Sequence, residues 1–157
     1  MDVRRAALED WRECREIRLR ALADTPDAFS STLERELAFP DRVWRKRLVT
    51  GHQLLASEGG AIVGTATGIP DEHERGGCEV VAMWVAPETR GRGVGKALIE
   101  GLVTWARDAS APSIALWIAD GNDAARLLYE SCGFTATGER DTIRAGLGQQ
   151  RMRLPLD

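Results

Sequence analysis

Val81-Ala82-Met83-Trp84-Val85-Ala86-Pro87-Glu88-Thr89-Arg90-Gly91-Arg92-Gly93-Val94-Gly95-Lys96-Ala97-Leu98 is the stretch whose reading decides the fold. Its first part is an apolar run of the kind found in strands buried on both faces. Pro87 ends that run, and three alternating glycines lead into a helical stripe of Val94, Leu98, Leu102 and Trp105. Glycine lets a backbone bend tightly and approach a ligand with no Cβ in the way. The helix start adds unpaired N–H groups and the positive end of a dipole, which together suit a phosphate or pyrophosphate. An ordinary strand-to-helix turn would need one glycine. Three, flanked by Arg90, Arg92 and Lys96 in a chain of net charge −3, point to an anionic ligand.

Upstream of this stretch, Val3 to Ala6 reads as a strand, and Leu8, Trp11, Cys14, Ile17, Ala21 and Leu22 recur at helical spacing. Ser31-Thr32-Leu33-Glu34 has the form of a capping box, and a further helix from Asp41 to Val49 ends at Gly51, read as its C-cap. Gln53–Ser57 and Ala61–Ile69 flank the hairpin signal Glu58-Gly59-Gly60, and Pro70 to Gly77 is a polar loop. Downstream come a helix from Gly93 to Asp108, a strand from Ser113 to Ala119, a helix from Asn122 to Cys132, and strands at Phe134–Arg140 and Gln150–Leu156. This order predicts an α/β fold, a mixed sheet with helices on both faces.

At 157 residues the chain has room for one domain, spanning 1–157. The net charge argues against a nucleic-acid partner held by bulk charge. The longest apolar run, Val80 to Ala86, falls far short of the about 20 residues of a membrane span, and the start at Met1 to Arg5 carries no apolar signal core. Cys14, Cys78 and Cys132 are odd in number and scattered, and with only His52 and His73, both expected on the surface, no zinc spacing can be assembled. The expectation is a cytoplasmic protein with no metal and no membrane partner.

Several phosphate-binding patterns compete for the glycine loop. A Walker loop requires G-x-x-x-x-G-K-[ST], which Gly91 to Ala97 does not supply. The dinucleotide fingerprint G-x-G-x-x-G is met at Gly91 and Gly93 but has Lys96 in third place. Asp120 stands where a ribose-binding acid would lie, yet the loop sits mid-chain behind a hairpin. The sequence resembles the GNAT superfamily of N-acetyltransferases. That family's acyl-CoA loop, [Q/R]-x-x-G-x-[G/A], is matched by Arg90-x-x-Gly93-x-Gly95. Its second signature is matched by Asn122, Tyr129 and Gly133-Phe134.

The resemblance implies a central mixed, mostly antiparallel sheet of about six to seven strands flanked by helices. Two parallel strands, Glu79–Val85 and Ser113–Ala119, would splay apart to form the acyl-CoA cleft. It also implies acetyl transfer from acetyl-CoA to a primary amine of a small molecule or peptide, by direct attack in a ternary complex. Arg90, Gly91, Arg92, Gly93, Val94, Gly95 and Lys96 would then cradle the pyrophosphate. Met83 would hydrogen-bond the thioester carbonyl through its backbone, and Val85, beside Trp84, would pair with the pantetheine arm. Asn122 matches a pantetheine contact and is equally a good N-cap.

Tyr129 matches the proposed general acid, and its spacing also fits a core aromatic. Glu79 is the candidate base, or else a solvated strand end. A base has work to do, because an amine of pKa about 10.4 is almost wholly protonated at pH 7. Phe29, Trp44 and Trp84 are candidates to line the acceptor side. Asp71, Glu72 and Glu74 would suit a cationic acceptor or form a solvated loop. Cys132, on an apolar stripe, reads as packing. Two other classes share these features: an acyl-CoA-binding protein without turnover, and a nucleotide-binding module. Exposed sheet edges are compatible with a homodimer.

Overall fold

Two parallel strands lie at the centre of the sheet and part company halfway along. In the computed structural model, which describes residues 1–157, β4 (Cys78–Val85) and β5 (Ser113–Ala119) pair only at Cys78/Ile114, Glu79/Ala115 and Val80/Leu116. The cause lies on the other edge of β4. Its antiparallel partner β3 (Ala61–Pro70) matches Thr67 with Val81 but Thr65 with Trp84. Ala82 and Met83 therefore face the single residue Ala66, and Ala82 takes the left-handed backbone angle φ 55°. A bulge of this kind bends its strand and increases the local twist, which carries the end of β4 away from β5.

The remaining strands extend the sheet in both directions. β1 (Asp2–Arg5) and β2 (His52–Glu58) complete one side, β6 (Thr135–Arg144) and β7 (Leu147–Pro155) the other, in the order β1-β2-β3-β4-β5-β7-β6. Every neighbouring pair except β4–β5 is antiparallel. The β2–β3 hairpin turns at Gly59 (φ 59°) and Gly60 (φ 83°), the paired positive angles that match strand twist in a two-residue loop. The last two strands run longer than sequence patterning indicates. β6 is exposed along most of its length, so no apolar alternation marks where it ends.

Helices cover both faces. α1 (Trp11–Asp24), α2 (Leu33–Leu37) and α3 (Asp41–Thr50) lie on one, α4 (Val94–Asp108) and α5 (Asp123–Ser131) on the other. Two local expectations need correction. Thr32 rather than Ser31 caps α2, its hydroxyl accepting from the Arg35 amide at 3.2 Å. Gly51 is extended (φ −118°) rather than a left-handed cap, and is small because a Cβ would lie 2.8 Å from Thr67. No helix is long and apolar enough to cross a membrane.

The core is densest where α4 crosses the sheet: Leu98, Ile99, Leu102 and Ala106 are fully buried, each large side chain stabilising by about 1.5–3 kcal/mol. Close approach there depends on Gly68, where a Cβ would stand 2.2 Å from the Trp105 ring. That ring is itself held by His52, stacked at 4.8 Å, so His52 is half-buried rather than on the surface. Gly68→Ala is expected to destabilise the protein by about 1–3 kcal/mol, read as a lower urea midpoint with unchanged slope.

Candidate active site

The glycines at the start of α4 serve different needs. Gly91 (φ 79°) and Gly93 (φ 84°) hold left-handed angles that cost most other residues about 1–2 kcal/mol. At Gly95 a Cβ would lie 2.9 Å from Leu128 and 3.2 Å from Met83, keeping α5 and β4 from closing on α4. The first α4 amide with a main-chain acceptor is Ala97, which donates to the Gly93 carbonyl at 3.0 Å. The amides from Gly91 to Lys96 have no acceptor within the protein. A run of free N–H groups at a helix start fits a diphosphate.

The neighbouring arginines do other work. Arg90 donates from Nε to the Val85 carbonyl and from its guanidinium to Asp24, both at 2.9 Å. Arg92 donates to Glu58 at 2.6 Å and to the Glu88 carbonyl at 3.0 Å. Both side chains brace the loop rather than stand free above it, whereas Lys96 is exposed and joins no ion pair in the protein. Ala86 donates to the Val63 carbonyl on the β3 side at 2.7 Å. Strand alternation therefore turns the amides of Val85 and Met83 toward the gap beside β5.

The gap opens into a cavity of about 520 Å³ lined by Glu79, Met83, Asn122 and Tyr129, and also by Phe29 and Trp44. Glu79 makes no hydrogen bond or ion pair. Burial first, and the neighbouring Asp71 second, raise its pKa above the ordinary glutamate value. Tyr129 is buried, its ring 6.1 Å from Phe134, and its hydroxyl has no partner in the protein. Burial pushes its pKa up, so it keeps its proton. Asn122 caps α5, accepting from the Ala125 amide at 3.2 Å, and also lines the cavity. Its two readings are compatible. Gly133 (φ 96°) closes α5 as a left-handed cap.

Trp84 is not in this wall. It is a core residue whose indole N–H donates to Asp24 at 3.0 Å, so its side chain is removed from the acceptor and cofactor candidates. The acidic loop is also largely neutralised. Asp71 pairs with Arg151 at 2.5 Å, and Glu74 with Arg153 at 2.8 Å, leaving Glu72 exposed. Asp120 pairs with Arg140 at 2.5 Å, which occupies the carboxylate a ribose would need. The thiols of Cys14, Cys78 and Cys132 are all raised by burial, Cys14 to about 12. None is poised as a thiolate.

Sequence reasoning missed two groups at the cavity. Arg18 and Arg47 both line it and both bind the fully buried Glu36. Arg144 reaches from the end of β6 to the carbonyls of Pro26 and Phe29, tying the segment after α1, whose Phe29 lines the cavity, to the last hairpin. These pairings join residues from 11 to 118 positions apart, which no local pattern reveals.

Fold and site together define an acyl-CoA-type transferase scaffold, and the comparisons agree. The pattern of the acetyltransferase (GNAT) family matches residues 7–134, and the chain belongs to that family. It is 31% identical over 138 residues to the N-alpha-acetyltransferase RimI of Mycobacterium tuberculosis, covering 83% of this chain and 76% of that one. It is 30% identical over 130 residues to a Mus musculus protein named probable N-acetyltransferase family 8 member 5, covering 80% of this chain. The chain spans about half (56%) of that relative's length. The yncA structure from Salmonella typhimurium, solved with its cofactor acetyl-CoA, superposes with a TM-score of 0.78 at 25% identity, covering 100% of this chain and 94% of that one.

The free amides can be tested directly. Gly91→Asp keeps a residue type that tolerates the left-handed angle but sets a carboxylate beside the nest. Calorimetry should show acetyl-CoA affinity weakened at least about 10-fold, equivalent to about 1.4 kcal/mol, with the circular dichroism spectrum unchanged.

Proposed function

We propose that this protein transfers an acetyl group from acetyl-CoA to a primary amine of a small molecule or peptide by direct attack in a ternary complex. One observation carries the reading: the unpaired amides of Gly91 to Lys96 stand beside the parted strands, and the gap leads to a cavity that holds an unpartnered carboxylate and an unpartnered phenol. Acetyl-CoA supplies the activated acetyl group and a thiol leaving group.

The amides of Gly91 to Lys96 bind its diphosphate, and the Val85 amide and Asn122 hold the arm. The Met83 amide faces the gap, where a fixed donor to a developing oxyanion contributes about 3–4 kcal/mol. Glu79 accepts the proton of the incoming ammonium, directly or through one water, and its raised pKa brings it nearer the range where a base works at neutral pH. Tyr129 stays protonated and offers its O–H as a hydrogen bond to the departing sulfur, full proton transfer being disfavoured by its raised pKa. A thiol of pKa about 8.5 is a tolerable leaving group unaided, so this assistance is modest. The raised thiols support direct transfer over a cysteine acyl-enzyme. The free cysteines support a cytoplasmic setting, which belongs to the same proposal.

The alternative of a binding protein without turnover predicts acetyl-CoA binding but no thiol release with any amine. A panel of primary amines assayed with acetyl-CoA by free-thiol detection separates the two. Glu79→Gln should lower kcat/KM at least about 10-fold at pH 7 and recover as pH approaches the amine's own pKa. In the parent, activity should be lost as pH falls through the raised carboxyl pKa, because protonation removes the base; equal rates for mutant and parent at pH 7 would exclude Glu79. Tyr129→Phe should cost about 3- to 30-fold in kcat, with acetyl-CoA affinity unchanged by calorimetry.

A further inference from the structure

The acceptor half of the cavity carries a charge pattern of its own. Glu36 on α2 is 0% exposed and accepts from three guanidinium nitrogens: Arg18 Nε at 3.0 Å, Arg18 Nη2 at 2.9 Å and Arg47 Nη1 at 2.8 Å. Burial alone would raise its pKa, but the bonds from Arg18 and Arg47 prevail and hold it down at about 2. It is therefore ionised, and the three residues together carry one surplus positive charge. Each guanidinium has five N–H groups, so seven of the ten have no acceptor in the protein.

Both arginines line the cavity, and so does Trp44, which is 2% exposed and whose indole N–H is buried without a partner. Arg18 lies over the Phe29 ring at 4.7 Å and Arg47 over the Trp44 ring at 4.9 Å. Both heads are thus fixed in orientation by Glu36 on one side and an aromatic face on another.

The spare donors of these partly exposed side chains are open to an anion entering the cavity. The only other charged residue lining the cavity is Glu79. Both charges line the one cavity, Arg47 from α3 and Glu79 from β4. A cation-accepting carboxylate and an anion-accepting guanidinium pair in one cavity match a zwitterion. The volume of about 520 Å³ suits a small molecule.

We propose that the acceptor is a small amino acid, its carboxylate bound by Arg18 and Arg47 and its amine turned to Glu79, with Glu36 as the residue that positions both guanidiniums. This rests on the acetyl-transfer reading above. The test is thiol release with α- and ω-amino acids, each matched with its own primary amide and with the bare amine. The carboxylate form should lead in kcat/KM by at least about 10-fold, mainly through KM. Arg18→Gln should cut that lead, taken as the acid-to-amide ratio within the variant, to within about threefold, and Arg18→Lys, which keeps the charge, should retain most of it.

Amides or bare amines turned over as well as the acids would overturn the assignment, as would a carboxylate preference that survives both Arg18→Gln and Arg47→Gln. Silence of the whole panel would count against acetyl transfer, and calorimetry of the same acids and amides with CoA present then decides the subsite. Tighter binding of the acids supports it, and equal or undetectable binding of both overturns it.

Discussion

The extra residue in β4 is the constraint on which the rest of this structure depends. With Ala82 and Met83 facing Ala66 alone, β4 cannot keep its hydrogen bonds to β5, and pairing ends after Val80. A continuous sheet would have no free strand edge in its middle and no passage between its faces. The bulge creates both, and requires a non-glycine residue in the left-handed region at Ala82 (φ 55°). Such strain persists where surrounding packing over-determines it. Here the buried residues of α4 on one face and α1 on the other provide that packing.

Charge is divided in an instructive way. Arginines beside the glycine loop and beside the acidic loop are consumed by structure: Arg90, Arg92, Arg151 and Arg153 all sit in ion pairs. The groups left over for ligands are main-chain amides, Lys96, one carboxylate, one phenol and the spare donors of Arg18 and Arg47. Backbone donors have the advantage that their direction is set by the fold and needs no side-chain ordering. In an arginine-rich chain the count of cations near a motif is therefore a poor guide to which of them meets a ligand.

What was legible in the sequence follows the range of the interaction. Gly91 and Gly93 hold left-handed backbone and Asn122 caps its own helix, local features that residue type alone signals. The strands from His52 to Ala119 are buried and apolar and were readable for that reason. The bulge at Ala82 was not, because Val-Val-Ala-Met-Trp-Val carries no residue that demands it. Trp84 was misplaced because aromatic character does not say which side of a bent strand a ring occupies. The Arg18–Glu36–Arg47 cluster was invisible, since its members sit on three helices whose packing alone brings them together, and each reads locally as a solvated charge.

The Arg144 tie has a consequence for the order in which this protein becomes competent. β7 lies between β5 and β6, so the hairpin that carries Arg144 joins the sheet only after residues 147–155 are available. Until then β5 is an open edge, and the segment around Pro26 and Phe29 lacks its anchor. During synthesis on the ribosome the glycine loop and its helix emerge many residues earlier. The free amides of the glycine loop therefore precede, in chain order, the strand pair that anchors the Pro26–Phe29 segment.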